Sequence, residues 1–105
     1  MPAQSTTTVT IDHQSTGAPN GANDLHLEFD QDVDVKGVNG VAPDDPKADF
    51  TIENDGQGKI DLSDMTFPNP GKTTLRVKGA KNKKPKLKPG KSHWTINGEQ
   101  VGKAF

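Results

Sequence analysis

Apolar and polar side chains alternate along much of this chain with a period of two. In an extended strand successive side chains point to opposite faces, so this rhythm is the signature of half-buried β-structure. The strongest run is DLHLEFDQDVDVKG, residues 24–37. Leu25, Leu27, Phe29, Val33 and Val35 share one parity, interrupted only by Gln31. His26, Glu28, Asp30, Asp32, Asp34 and Lys36 share the other. The pattern predicts one half-buried strand with an acidic outer face. Fourteen residues are long for one strand, which places a bulge or bend near Gln31.

Shorter copies follow. Val9 and Ile11, Phe50 and Ile52, Ile60 and Leu62, Leu75 and Val77, and Trp94 and Ile96 each alternate with polar neighbours. Turn signals separate them: Asn39-Gly40, Asn54-Asp55-Gly56, Asn69-Pro70-Gly71, Pro89-Gly90 and Asn97-Gly98. Asn97-Gly98 suits a two-residue type I′ turn, a register that pairs Ile96 with Glu99 and Trp94 with Val101. Phe105 then falls on the face of Trp94. No 3.6-residue periodicity persists over three turns, so no substantial helix is expected. About seven or eight short strands predict an all-β, immunoglobulin-like antiparallel β-sandwich, with a small β-barrel as the alternative. Residues 1–105 read as a single domain, with residues 1–6 as a flexible tail.

Composition thins the expected core. Only 29% of the 105 residues are hydrophobic, and the mean hydropathy is −0.82. Disorder is the competing outcome for so polar a chain, but the net charge of −1 and the regular alternation favour folding. The absence of Cys removes disulfides, thiol nucleophiles and Cys-based zinc sites. No apolar run approaches the roughly 20 residues of a membrane-spanning helix. The opening MPAQSTTTV lacks the basic and apolar regions of a signal peptide. If the chain is exported, Met1 is expected either to replace a removed leader or to be a start residue added for expression.

Charge changes the picture more. Residues 1–71 hold 13 acidic and 3 basic groups, a balance of −10, and residues 72–105 hold 1 acidic and 10 basic groups, a balance of +9. Two outcomes are open. The blocks form complementary surfaces that join neighbouring copies head to tail, or folding lays one against the other and cancels the dipole. The first singles out Glu28, Asp30, Asp32 and Asp34 against Arg76, Lys78, Lys81, Lys83, Lys84, Lys86, Lys88 and Lys91.

Residues 78–91, KGAKNKKPKLKPGK, carry seven lysines. They suit phosphates, but the segment lacks aromatics for base stacking and arginine for base readout, which argues against nucleic acid. Asp30, Asp32 and Asp34 resemble the start of a calcium loop and are the metal candidates, although Val35 and Val41 stand where that loop needs Gly and Glu. His13, His26 and His93 show no convergent metal spacing and read as ordinary exposed histidines. No nucleophile elbow or phosphate loop is present. Trp94 reads as a core anchor, the alternative being an exposed platform for a sugar ring.

Two stretches carry a resemblance. TIDHQSTGAPNGANDLHLEF, residues 10–29, resembles the opening of small secreted bacterial β-sandwich domains, and LKPGKSHWTING, residues 87–98, resembles their later Pro-Gly step into a strand. Such domains are similar to immunoglobulin-like modules of surface proteins and extracellular matrices. The resemblance implies export and a non-enzymatic role, and it carries over no functional residue. The expectation is a non-enzymatic extracellular structural or matrix module, secreted or on a bacterial cell surface, with a phage virion as the other location. Its expected partner is a second copy of itself, in an oligomer or filament, if the charge blocks stay apart, or another surface protein. The alternative is a ligand-binding module for carbohydrate or a polyanion. No cofactor is expected beyond the calcium candidates.

Overall fold

The alternating runs become strands, and the computed structural model, which describes residues 6–12, 23–63, 72–81 and 83–105, contains eight. They are β1 (Thr6–Asp12), β2 (Asn23–Glu28), β3 (Val33–Val38), β4 (Thr51–Asn54), β5 (Lys59–Ser63), β6 (Lys72–Gly79), β7 (His93–Ile96) and β8 (Glu99–Val101). Two antiparallel sheets result, β1-β6-β3 and β4-β5-β2-β7-β8. Ile11, Val33, Val38, Leu75 and Val77 from the first meet Leu25, Leu27, Ile60, Leu62 and Trp94 from the second, with Phe29 between them. One shared core between two antiparallel sheets makes this an all-β sandwich. No described residue is helical. Strand β1 already includes Thr6, which the sequence had assigned to the tail, and residues 1–5 lie outside the described segments.

The strand order has its own character. β4-β5-β2 lie side by side as D, E and B do in an immunoglobulin domain, and β6 pairs β3 as F pairs C. The first and seventh strands have exchanged sheets: β1 pairs β6, and β7 pairs β2.

The long run at 24–37 is not one strand. It is two, in different sheets, with residues 29–32 crossing between them. The reason is Gln31, the polar residue in the apolar parity. The residue is 4% exposed and both ends of its amide are engaged: Nε2 donates to the Lys83 carbonyl (3.0 Å), and Oε1 accepts from Lys81 N–H (2.8 Å). Backbone bonds from Phe29 N to the Gly58 carbonyl and from Asp30 N to the Lys86 carbonyl, both 2.8 Å, complete the corner. A bulge does occur, but further on. Lys36 is the extra residue between the pairs Val35–Val77 and Gly37–Arg76, so Val38 returns to the core.

The C-terminal hairpin follows its sequence. Ile96 pairs with Glu99 and Trp94 with Val101, and Asn97 and Gly98 take φ of 51° and 84°. Trp94 is fully buried, which excludes it as an exposed sugar platform. Phe105 packs on the same core and exchanges two backbone bonds with Ser92. The proposed turn at Asn69-Pro70-Gly71, and His13 and Phe67, lie outside the described residues.

Candidate interaction surface

Folding interleaves the two charge blocks. The segment after β6 runs back along the acidic corner. Ala80 N–H donates to the Asp32 carbonyl (3.0 Å), Lys88 N–H donates to the Glu28 carbonyl (2.8 Å), and Phe29 bridges Leu87. Asp30 accepts Lys86 N–H at 3.1 Å and lies 3.8 Å from Lys83 Nζ. Across the sheet ladders, Asp34 stands opposite Lys78, Asp12 opposite Lys72 and Glu28 opposite Lys59. Part of the basic block thus lies beside part of the acidic block within one molecule.

The lysine segment forms a ridge. Pro85 is buried and Leu87 half-buried, while Lys81, Lys83, Lys84, Lys86, Lys88 and Lys91 are exposed. Over 84–88 the lysines alternate with inward residues, as in a strand, which spaces them about 6–7 Å apart. Their backbone is fixed by the Gln31, Asp30 and Glu28 contacts above. Arg76 and Lys78 lie on the outer face of β6, Arg76 exposed and Lys78 half-buried.

The three aspartates do not converge. Asp30 serves Lys83 and Lys86, and Asp34 faces Lys78. Asp32 lines a shallow cleft with Lys78, and its Oδ1 is enclosed with no hydrogen-bond partner. Among the described residues, no group of three or more His, Asp or Glu side chains could hold a metal ion. Nor is any helix there long and apolar enough to cross a membrane.

His26 departs from its expected role. On the outer face of the five-stranded sheet its Nδ1 lies 2.7 Å from Asp61 Oδ1 and its Nε2 lies 2.8 Å from Glu28 Oε2. Two carboxylates against both ring nitrogens call for an imidazolium, which alone donates from both. The His93 ring is 5.0 Å away, centroid to centroid. The outward parity of His26 was legible in the sequence. Its partners were not, because Asp61 and His93 arrive through the registers of β5 and β7.

Burial pulls the His26 pKa down, but hydrogen bonds to Glu28 and Asp61, reinforced by their charges, leave it above the ordinary 6.5. The His26 bond in turn holds Glu28 below its ordinary 4.5. The stabilisation from a raised His26 pKa is complete below pH 6.5 and is lost as pH rises through the folded value. That from a lowered Glu28 pKa is present above pH 4.5 and is lost as pH falls through the folded value. The cluster therefore stabilises most between pH 4.5 and 6.5. In a pH series of thermal melts, His26→Gln is expected to fall furthest below wild type in that window, and the gap should narrow as pH rises to about 9. A gap independent of pH would mean that His26 is uncharged in the fold.

Comparison with family models, with curated proteins and with solved structures gives no match for this chain.

Proposed function

We propose that this chain is a non-enzymatic extracellular module, secreted or held at a bacterial cell surface, that binds an anionic polymer along the ridge Lys81–Lys91. One observation carries the reading. The lysine-bearing backbone is fastened to the acidic corner by hydrogen bonds with Gln31, Asp30 and Glu28. A surface that serves only solubility does not need its lysines held in order. Fixing the backbone beforehand lowers the ordering cost of association, which favours a partner with regularly spaced charges. Lysines without arginine or stacking aromatics contribute charge rather than base recognition, so the reading favours an acidic glycan over nucleic acid.

Heparin serves as the probe polyanion. The wild type is expected to bind a heparin column at about 50 mM salt and to elute as counterions compete. The triple variant Lys84→Gln/Lys86→Gln/Lys88→Gln should elute earlier, with a salt dependence shallower by about three charges. Failure of the wild type to bind, or identical elution of the variant, would remove the ridge as the binding surface. Elution of the bound protein by single-stranded DNA as readily as by free heparin would show that the ridge does not favour a glycan.

A further inference from the structure

The outer face of the three-stranded sheet carries a cleft used by neither the ridge nor the His26 cluster. Thr8 of β1, Thr74 and Arg76 of β6, and Lys36 and Gly37 of β3 line it, and Gly40 forms part of its wall. Arg76 is the only arginine in the chain. The register sets it between Thr8 on one side and Gly37 on the other. Among the described residues neither Arg76 nor Lys36 makes an ion pair, and Asp34, two positions along β3, faces Lys78 instead.

Gly37 opens the space. Its φ is not in the left-handed region, so the backbone does not require glycine there. A β-carbon would sit 3.6 Å from the Val41 carbonyl oxygen and 3.9 Å from Arg76 Cβ, ordinary contact distances. A side chain would fit the strand and would fill the cleft. Glycine inside a strand lowers its stability, and one without conformational need marks a place where something approaches closely.

The wall is fixed in advance. Val38 and Val41 exchange backbone bonds of 2.9 and 3.0 Å around Asn39 and Gly40. Asn39 N–H donates to the Thr74 carbonyl (2.7 Å), and Asn39 Oδ1 accepts from Thr74 N–H (3.0 Å). A guanidinium and an ammonium among the lining groups, two hydroxyl-bearing threonines and a rigid wall suit a tetrahedral oxyanion. The cleft measures about 350 Å³, inside the range of small-molecule sites and with room for more than a bare ion.

We infer that this cleft binds a phosphate or sulfate monoester carried on a small polyol such as a sugar residue. Arg76 grips two oxyanion oxygens, Lys36 offsets the remaining charge, and Thr8 and Thr74 meet the polyol oxygens. The site contains none of the ridge lysines, so each can fail alone.

Titration of the full chain by 1H–15N NMR tests it, with glucose 6-phosphate, glucose 6-sulfate, inorganic phosphate and glucose as probes. At least one ester is expected to give saturable shifts at Thr8, Gly37, Gly40 and Thr74 and at the unambiguous Arg76 Nε–H signal. Inorganic phosphate should move the same signals more weakly, and glucose should move none. The tighter of the two esters identifies the source group. Arg76→Gln should weaken binding about tenfold or more, since a bidentate charged contact is lost. Gly37→Val should abolish it by filling the cleft. Lys72→Gln, on the same strand outside the cleft, and the ridge triple variant should change it by no more than about twofold, as expected for screened surface charge. Shifts confined to Lys81–Lys91, shifts that do not saturate, or an Arg76→Gln variant that binds like wild type would overturn the inference.

Discussion

Gly58→Ala is expected to destabilise the protein by about 2–4 kcal/mol, a large share of the roughly 5–15 kcal/mol that holds a domain together. Gly58 is buried and has a φ of 99°. An alanine β-carbon there would lie 2.7 Å from the Gln31 carbonyl oxygen and 2.9 Å from that of Phe29. Both contacts are with backbone, so no side chain can swing away. The left-handed conformation adds about 1–3 kcal/mol of strain. Relief by displacement would break the 2.8 Å bond from Phe29 N to the Gly58 carbonyl. Gly56→Ala is the control: its φ is 77°, and nothing lies within 4 Å of an added β-carbon. It carries strain without crowding. Urea denaturation of both variants separates the two effects, and equal losses would show that the corner is not as tightly packed as described. A weakened corner should also loosen the lysine ridge, which hangs from Gln31 and Asp30.

The second large effect is expected at Trp94. It is the largest fully buried side chain, flanked by Leu25 on β2 and Val101 on β8. Removing a buried Trp to Ala costs about 3–5 kcal/mol, the lost transfer energy plus the cavity left behind. With eleven buried apolar residues in the core among the described residues, few neighbours can close that cavity. Trp94→Ala should lower the thermal midpoint by about 15 °C or more at roughly 4–8 °C per kcal/mol. Trp94→Phe, which keeps an aromatic ring in the site, should lose much less. Far-UV circular dichroism follows both variants. A midpoint for Trp94→Ala within a few degrees of wild type would contradict the packing between the sheets. In the wild type the only Trp, in a chain without Tyr, makes fluorescence a direct report on this core.

Local chemistry wrote much of the fold into the sequence. Period-two alternation marked every strand that carries a buried apolar pair, because one face of a sheet must be dry and the other wet. Asn97-Gly98 set its hairpin register because few residue pairs accept two positive φ angles. The segment 24–37 shows the limit of that reading. A continued parity looks the same whether a strand runs on or changes sheets, since inward residues remain inward in both. Gln31 was the mark of the break, and its meaning came only from Lys81 and Lys83, fifty residues away. Val38 was missed because the extra residue Lys36 inverts the parity behind it.

By itself, the sequence determined which side chains turn inward, where the chain reverses and which blocks carry each charge, because these depend on neighbours two to four positions apart. The tertiary structure alone decided that the lysine segment lies along the acidic corner, that His26 meets Asp61, and that Arg76 faces a vacant Gly37 position beside the Asn39 hairpin. Each of these joins residues from different strands. Strand register, set by the burial of the whole core, fixes such meetings, and no local pattern encodes it.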